Sequence, residues 1–335
     1  MSYAVIFPGQ GAAAPGAGQV WRSHDAWATV TDAEAILDRP IGRLLLDADA
    51  DELATTRASQ LAVLATSLLA WDLMSPQLAE RPVAFAGHSL GQITALVAAG
   101  AIDRADGLRL AAERADLSQA SADHQGGRMA ALVGCDLDIA EKACEVTRSA
   151  GLGAWVANDN APGQVVIAGT PEGLTAAGDQ ARALGARRVM PLAVGHAFHT
   201  PLLADAADGL APLLGTLTFR SPEAPIVDNT DADAVTDPAA WPALLQRHLV
   251  EPVRWVACQE RLAALGIDTL VEIGPGRVLA GMARRTVPGV RVLNVATPEE
   301  AHDALLQLDP ASAAPSEPAA SSPSSSSSVP PEGNA

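Results

Sequence analysis

The sequence predicts an α/β protein with a parallel sheet and a smaller mixed unit set into it. Short apolar runs at Tyr3–Phe7, Val83–Ala86, Thr269–Ile273 and Val290–Val295 alternate with longer stretches of helical periodicity. Between residues 129 and 194 the order changes to β-α-β-β-α-β, the split arrangement called ferredoxin-like. The 335 residues, 48% of them hydrophobic, suffice for a large core plus an insertion.

Composition narrows the function. A formal net charge of −17 argues against nucleic acid or an anionic membrane surface as partner. Three scattered cysteines, with no C-x-x-C, predict neither disulfides nor a zinc site. The first residues lack a basic segment before a long apolar core, so no signal peptide is expected. No apolar run reaches spanning length, and a cytoplasmic protein is expected.

Taken in order, Tyr3–Phe7 reads as a strand that runs into Pro8-Gly9-Gln10-Gly11, a loop without the G-K-[ST] of a phosphate site. Trp21–Leu46 is helical in parts. Thr56–Leu73 is a long helical pattern interrupted by Gln60, which reads as either a solvent-facing position or a candidate for the site. Val83–Ala86, Gly87-His88-Ser89-Leu90-Gly91 and Ile93–Ala99 spell strand, sharp turn and helix with a serine at the apex. In such an elbow the flanking glycines let strand and helix approach, and the helix N-terminus points partial positive charge at the serine's target. The Leu90 N–H is then placed to bind an oxyanion. The plain alternative is a tight turn with a capping serine.

Ala105–Ser121 is a further helix carrying Arg109, Glu113, Arg114 and Asp116, for which solvated i,i+4 pairing is the ordinary reading. The inserted unit follows: strands Met129–Gly134, Ala154–Ala157, Gln164–Ala168 and Arg188–Val194, helices Leu137–Ala150 and Pro171–Leu184, and a turn at 160–163. Then come Gly195–Pro201, helix Ala204–Leu214, strand Ile226–Asp228, helix Trp241–His248, a helix opened at Val250 through Leu265, strand Thr269–Ile273, helix Val278–Arg285 and strand Val290–Val295. The predicted domains are 1–125 with 196–308 as the large one, 126–195 as the small one, and 309–335 as a disordered Ser/Pro/Ala-rich tail.

A serine needs a base at neutral pH. Among seven histidines, His196 and His199 stand at the exit from the small unit, where a cleft is expected. His88 adjoins the serine, and its ring should diverge from it.

Several stretches together resemble the malonyl-CoA:acyl-carrier-protein transacylases and the acyltransferase domains of polyketide synthases. They are F-P-G-Q-G at 7–11, G-H-S-L-G at 87–91, R-L-A-A-E-R at 109–114, G-R-M-A-A-L-V-G at 127–134, N-A-P-G-Q-V-V-I-A-G at 160–169, H-A-F-H at 196–199, P-V-R-W at 252–255 and E-I-G-P-G at 272–276. The resemblance implies an α/β-hydrolase-like large domain and a ping-pong reaction. Ser89 would take a malonyl group from malonyl-CoA with His199 as base, then pass it to the phosphopantetheine thiol of an acyl carrier protein. Gln10 and Leu90 would form the oxyanion hole, and Arg114 would bind the malonyl carboxylate through its planar fork. Phe198 would narrow the pocket against an α-methyl group.

His88, Gln60, Asn160, Ser118 and His248 complete the candidate substrate contacts. No metal and no resident cofactor are expected, CoA being part of the substrate. The protein is expected to act as a monomer, for polyketide or fatty-acid synthesis.

Three positions depart from the family's pattern. Gln92 stands where glutamate is common, Ser118 where methionine lines the acyl pocket, and His248 where glutamine is usual, its main-chain carbonyl orienting the catalytic imidazole. Arg182, Arg187 and Arg188, or Arg284 and Arg285, are candidates for carrier docking. The competing expectations are transfer of a different acyl group, a serine hydrolase of acyl thioesters, and a non-catalytic carrier-binding subunit.

Overall fold

The computed structural model describes residues 1–309 except 193 and 195, and the Gln125 side chain is also outside the description. The tail expected beyond 309 therefore lies outside the described residues. In chain order the elements are β1 (Tyr3–Phe7), three 3₁₀ turns, α1 (Ala28–Leu37), α2 (Ile41–Leu46), α3 (Ala50–Leu53), α4 (Thr56–Met74), β2 (Ala84–Gly87), α5 (Gly91–Ala98) and α6 (Arg104–Gln125). Next are β3 (Arg128–Val133), α7 (Leu137–Ser149), β4 (Ala154–Ala161), β5 (Gln164–Gly169), α8 (Pro171–Ala183) and β6 (Arg188–Pro191). The chain then continues with α9 (Ala204–Leu214), β7 (Ile226–Val227), β8 (Ala234–Val235), α10 (Trp241–Val250), β9 (Val253–Arg254), α11 (Trp255–Ala264), β10 (Thr269–Ile273), α12 (Val278–Thr286), β11 (Arg291–Val295) and α13 (Pro298–Leu308).

Among the described residues two sheets form. The larger has the order β11-β10-β1-β2-β7-β8 and is parallel except where β8 turns back on β7. Its central strands β1 and β2 are continuous apolar runs and β10 is wholly buried, with Glu272 inside it accepting from the Leu279 and Ala280 amides, because helices cover both faces, as parallel sheets require. The smaller has the order β6-β3-β5-β4-β9, antiparallel except for the β4–β9 pair. Helices α7 and α8 cover one of its faces through Ala140, Ala143, Ala177 and Ala181. On the other face Met129, Ala157, Val166 and Ala168 pack against Ala197, Phe198, Leu203 and Ala206, so the small sheet backs the segment that leads into α9.

Several expectations change. Gln60 does not face solvent. Helix α4 is buried on almost every side, so a polar residue within it has no wet face to choose. Arg114 is likewise 3% exposed and not solvated. The turn expected at 160–163 contracts, because β4 runs on through Ala161 with two register irregularities that let Asn158 and Asp159 stay paired. The helix expected from Val250 starts at Trp255; Val253 and Arg254 instead extend the small sheet beside Asn158 and Asp159. Strand β6 ends at Pro191, short of Val194. Helix α13 had no counterpart in the sequence reading. Thr297 caps it by accepting from the Glu300 N–H.

Candidate active site

Three neighbouring parallel strands deliver the site at their carboxyl ends, where α/β sheets present ligand-binding groups. Gln10 follows β1, Ser89 follows β2, and Asn229 follows β7. The turn after β2 is extremely tight. A Cβ on Gly87 would overlap the Gly91 backbone, and one on Gly91 would overlap the Phe7 carbonyl, so only glycine fits either place. Ser89 consequently takes a left-handed backbone, φ 53°, which holds its hydroxyl clear of strand and helix.

His199 approaches from the segment after the small sheet and is also left-handed, φ 58°. Its Nε2 lies 2.8 Å from Ser89 Oγ, and its Nδ1 lies 2.8 Å from the main-chain carbonyl of His248. The carbonyl can only accept, so Nδ1 carries the proton and Nε2 is the free base facing the serine. Burial, then the positive charge of Arg114, push the His199 pKa down to about 3, against the raising effect of the His248 carbonyl. The imidazole is therefore neutral and able to take a proton.

Arg114 projects from α6 beneath the serine. Nη2 donates to Ser89 Oγ at 3.1 Å and Nη1 to Gln60 Oε1 at 2.6 Å. Burial lowers its pKa to about 10, which leaves it charged. No carboxylate pairs with it among the described residues. A buried cation without a counter-ion is costly unless a ligand supplies one. Gln60 Nε2 continues to Gln10 Oε1 at 3.3 Å, and Ser59 Oγ donates to the Gln10 carbonyl at 2.7 Å. The loop that carries the Gln10 amide is thus tied to the arginine. Neither the Gln10 nor the Leu90 amide meets a hydrogen-bond acceptor among the described residues, which leaves both donors open to a ligand.

A cavity of about 420 Å³ opens over this group. Gln10, His88, Ser89, Asn160, Phe198 and His199 line it, with Leu279 and Met282 at its apolar side. His88 turns away from the serine as expected: its Nε2 donates to Asn160 Oδ1 at 2.8 Å, and its ring meets Trp255 edge-on. Phe198 meets His196 edge-on, with centroids 5.1 Å apart. Gln60, Leu90, Arg114 and His248 lie behind the wall rather than in it. Ser118 is wholly buried one helical turn beyond Arg114, and its hydroxyl has no partner among the described residues. His196 takes no part in the serine contacts, and burial lowers its pKa to about 4. Arg285 lies across the sheet junction, donating to Gln164 Oε1 at 2.9 Å.

Asn229 is the contributor that sequence reasoning missed. Its Oδ1 accepts from the Ser89 amide at 2.8 Å and from His248 Nε2 at 3.0 Å. Its Nδ2 donates to the Gly87 carbonyl at 2.7 Å and to Gln92 Oε1 at 2.8 Å. The only signal available was an asparagine at the carboxyl end of a strand.

The acyl transferase domain family model matches residues 4–302. The malonyl CoA-acyl carrier protein transacylase of Salmonella typhimurium is 39% identical over 287 residues, spanning 85% of this chain and 93% of that protein. The Bacillus subtilis transacylase is 33% identical over 298 residues, 88% and 94% of the two chains. Among solved structures, the acyl-carrier-protein S-malonyltransferase of Burkholderia pseudomallei superposes with a TM-score of 0.87 at 37% identity, covering 91% of this chain and 99% of that one. A malonyl-transacylase in complex with its type II PKS acyl-carrier protein gives 0.88 at 35% identity, covering 92% and 100%. With an elbow serine, a neutral histidine on its hydroxyl and a buried arginine beneath, this chain belongs to the malonyl CoA-acyl carrier protein transacylase family within the acyl transferases.

Proposed function

We propose that the protein transfers a malonyl group from malonyl-CoA to the phosphopantetheine thiol of an acyl carrier protein. The observation that carries this is the buried Arg114, which lacks a counter-ion among the described residues and whose Nη2 lies 3.1 Å from Ser89 Oγ. A dicarboxylic acyl group brings the missing charge, whereas a neutral acyl chain leaves the guanidinium uncompensated.

In the first half-reaction Ser89 Oγ attacks the thioester carbonyl and its proton passes to His199 Nε2. The Leu90 and Gln10 amides hold the tetrahedral oxyanion. The C–S bond breaks, the CoA sulfur takes the proton from His199, and a malonyl ester stays on Ser89. In the second, the carrier thiol gives its proton to His199 and attacks the ester. Ser89 leaves and recovers the proton. The imidazolium is steadied by the His248 carbonyl on Nδ1. Malonyl binding neutralises the Arg114 charge that otherwise depresses His199, so the base strengthens when the substrate arrives.

The large domain, 1–125 with 196–308, would hold the chemistry. The small one, 126–195, would be ferredoxin-like, a reading supported by its strand order β6-β3-β5-β4 with two helices on one face. Every group in the mechanism comes from one chain, which supports the reading of a working monomer. The reading places the protein in carrier-dependent synthesis of fatty acids or polyketides in the cytoplasm; no described helix is long and apolar enough to cross a membrane.

Intact mass spectrometry after mixing with malonyl-CoA tests this. A malonyl adduct on Ser89 that carrier protein discharges is expected. Rapid release of free malonate without transfer would instead make the enzyme a hydrolase.

A further inference from the structure

We propose that Asn229 is a positioning residue that sets both halves of the Ser89–His199 pair through one carboxamide. This rests on the acyl-enzyme reading above. Each polar site of that carboxamide is engaged. Oδ1 accepts from the Ser89 amide and the His248 ring, and Nδ2 donates to the Gly87 carbonyl and Gln92 Oε1. Asn229 is 1% exposed, so water does not compete. The arrangement admits one orientation, because a flipped amide would face its NH₂ toward the Ser89 N–H.

Two consequences follow for the reacting atoms. Ser89 sits in a left-handed backbone, and the Asn229 oxygen accepts from its amide in that state. The same oxygen anchors the His248 ring, and the His248 carbonyl anchors His199 Nδ1 at 2.8 Å. Nucleophile and base are therefore referred to a single atom, although 110 residues separate them in sequence. The His248 ring packs against the His199 ring with centroids 5.2 Å apart, so a displaced His248 moves the base. Gln92 completes the set from α5; its own Nε2 is buried with no partner among the described residues, so its hydrogen-bonding role there is as acceptor.

The test is the single-turnover rate of malonyl-Ser89 formation, read by quenched-flow mass spectrometry on the full-length protein. For Asn229→Ala, a fall of about 100-fold in rate constant is expected, with the half-saturating malonyl-CoA concentration changed less than about threefold, as loss of alignment predicts. Asn229→Asp keeps both acceptances but sets an oxygen against the Gly87 carbonyl, to which Nδ2 donates at 2.7 Å, so it should stay at least about tenfold below the unmodified protein. A purely structural role would lower the amplitude, the fraction of folded sites, and leave the rate constant alone. Should Asn229→Ala fail to fold, His248→Phe and His248→Gln read the same contact. The first should slow acylation about tenfold and the second restore it, since only glutamine can donate to Asn229. Asn229→Ala or His248→Phe acylating within about twofold of the unmodified protein would overturn the inference. Failure of the unmodified protein to acylate at all would instead overturn the function proposed above.

Discussion

Arg114 donates from Nη2 to Ser89 Oγ while Nη1 is held by Gln60, so in the free protein the guanidinium grips the nucleophile it also has to serve. A malonyl carboxylate would take over that donor and release the hydroxyl to His199. Arg114→Ala should lower kcat/KM for malonyl-CoA by roughly 10²-fold or more, the scale of removing one partner of a buried charge pair. Acetyl-CoA, now free of an uncompensated cation, should gain relative to it. Initial rates with both thioesters check this, and unchanged selectivity would contradict the role given to the arginine.

Gln60 is the acceptor that fixes the second arm of that fork. Gln60→Leu leaves a buried donor unmet, worth about 1–3 kcal/mol, and should weaken malonyl-CoA by about tenfold or more. The same change frees Gln10 Oε1, so the acylation rate should fall as well. A variant with normal KM and normal rate would show that the glutamine only fills space.

The pH profile follows from histidines kept neutral by burial. His199 titrates at about 3 in the free protein, so kcat/KM should stay level as pH falls from 8 to about 5. In the complex the bound carboxylate offsets Arg114, so the acidic limb of kcat should appear at higher pH than that of kcat/KM. Stability falls over the range in which kcat/KM is still level. The folded pKa values of His199, His196, His88 and His248 all lie below the unfolded value, so the unfolded chain binds more protons between their folded pKa and about 6.5. Stability is full above that window and declines as pH falls through it. Thermal midpoints from pH 7.5 to 4.5 check the slope, and a midpoint that rises on acidification would refute it.

Phe198 stands between His196 and His199 on the cavity wall and is 6% exposed. Phe198→Ala should admit an α-methyl branch, raising methylmalonyl over malonyl transfer by about 10-fold to 100-fold, the worth of one methyl in an apolar pocket. Competition between the two CoA esters measures the ratio directly.

Gly87→Ala should fail at the level of folding, because its Cβ would enter the Gly91 backbone with nothing flexible to yield. Soluble yield and thermal midpoint test it. A soluble variant with normal acylation would mean that the elbow tolerates more room than its geometry implies.

The parts readable from sequence are those whose cause is local. The elbow needs glycines two residues either side of the serine, and that spacing is written in consecutive letters. Strand Thr269–Ile273 matched to the residue because it is a short run rich in β-branched residues that Gly274-Pro275-Gly276 ends sharply. Gln60 was ambiguous because α4 is buried on almost every side and buries Ser59, Thr66 and Ser67 as well, so periodicity assigns it no face. Asn229 was invisible because its importance lies in meeting Ser89, 140 residues away, through the adjacency of β2 and β7. Strand β9 is two residues long and exists only because β4 is beside it. Helix α13 did carry a cap, Thr297 with Glu300 three residues on, and that signal was readable.

That β9 belongs to the small sheet although it arrives from the far end of the chain affects any attempt at modular engineering. A chimera that exchanges 126–195 between relatives leaves the outer margin of Ala154–Ala161 against a foreign Val253–Arg254, or bare if the graft is expressed alone. A bare margin of that kind invites pairing with other chains. The transplantable piece is therefore discontinuous, and the residues following α10 must travel with it.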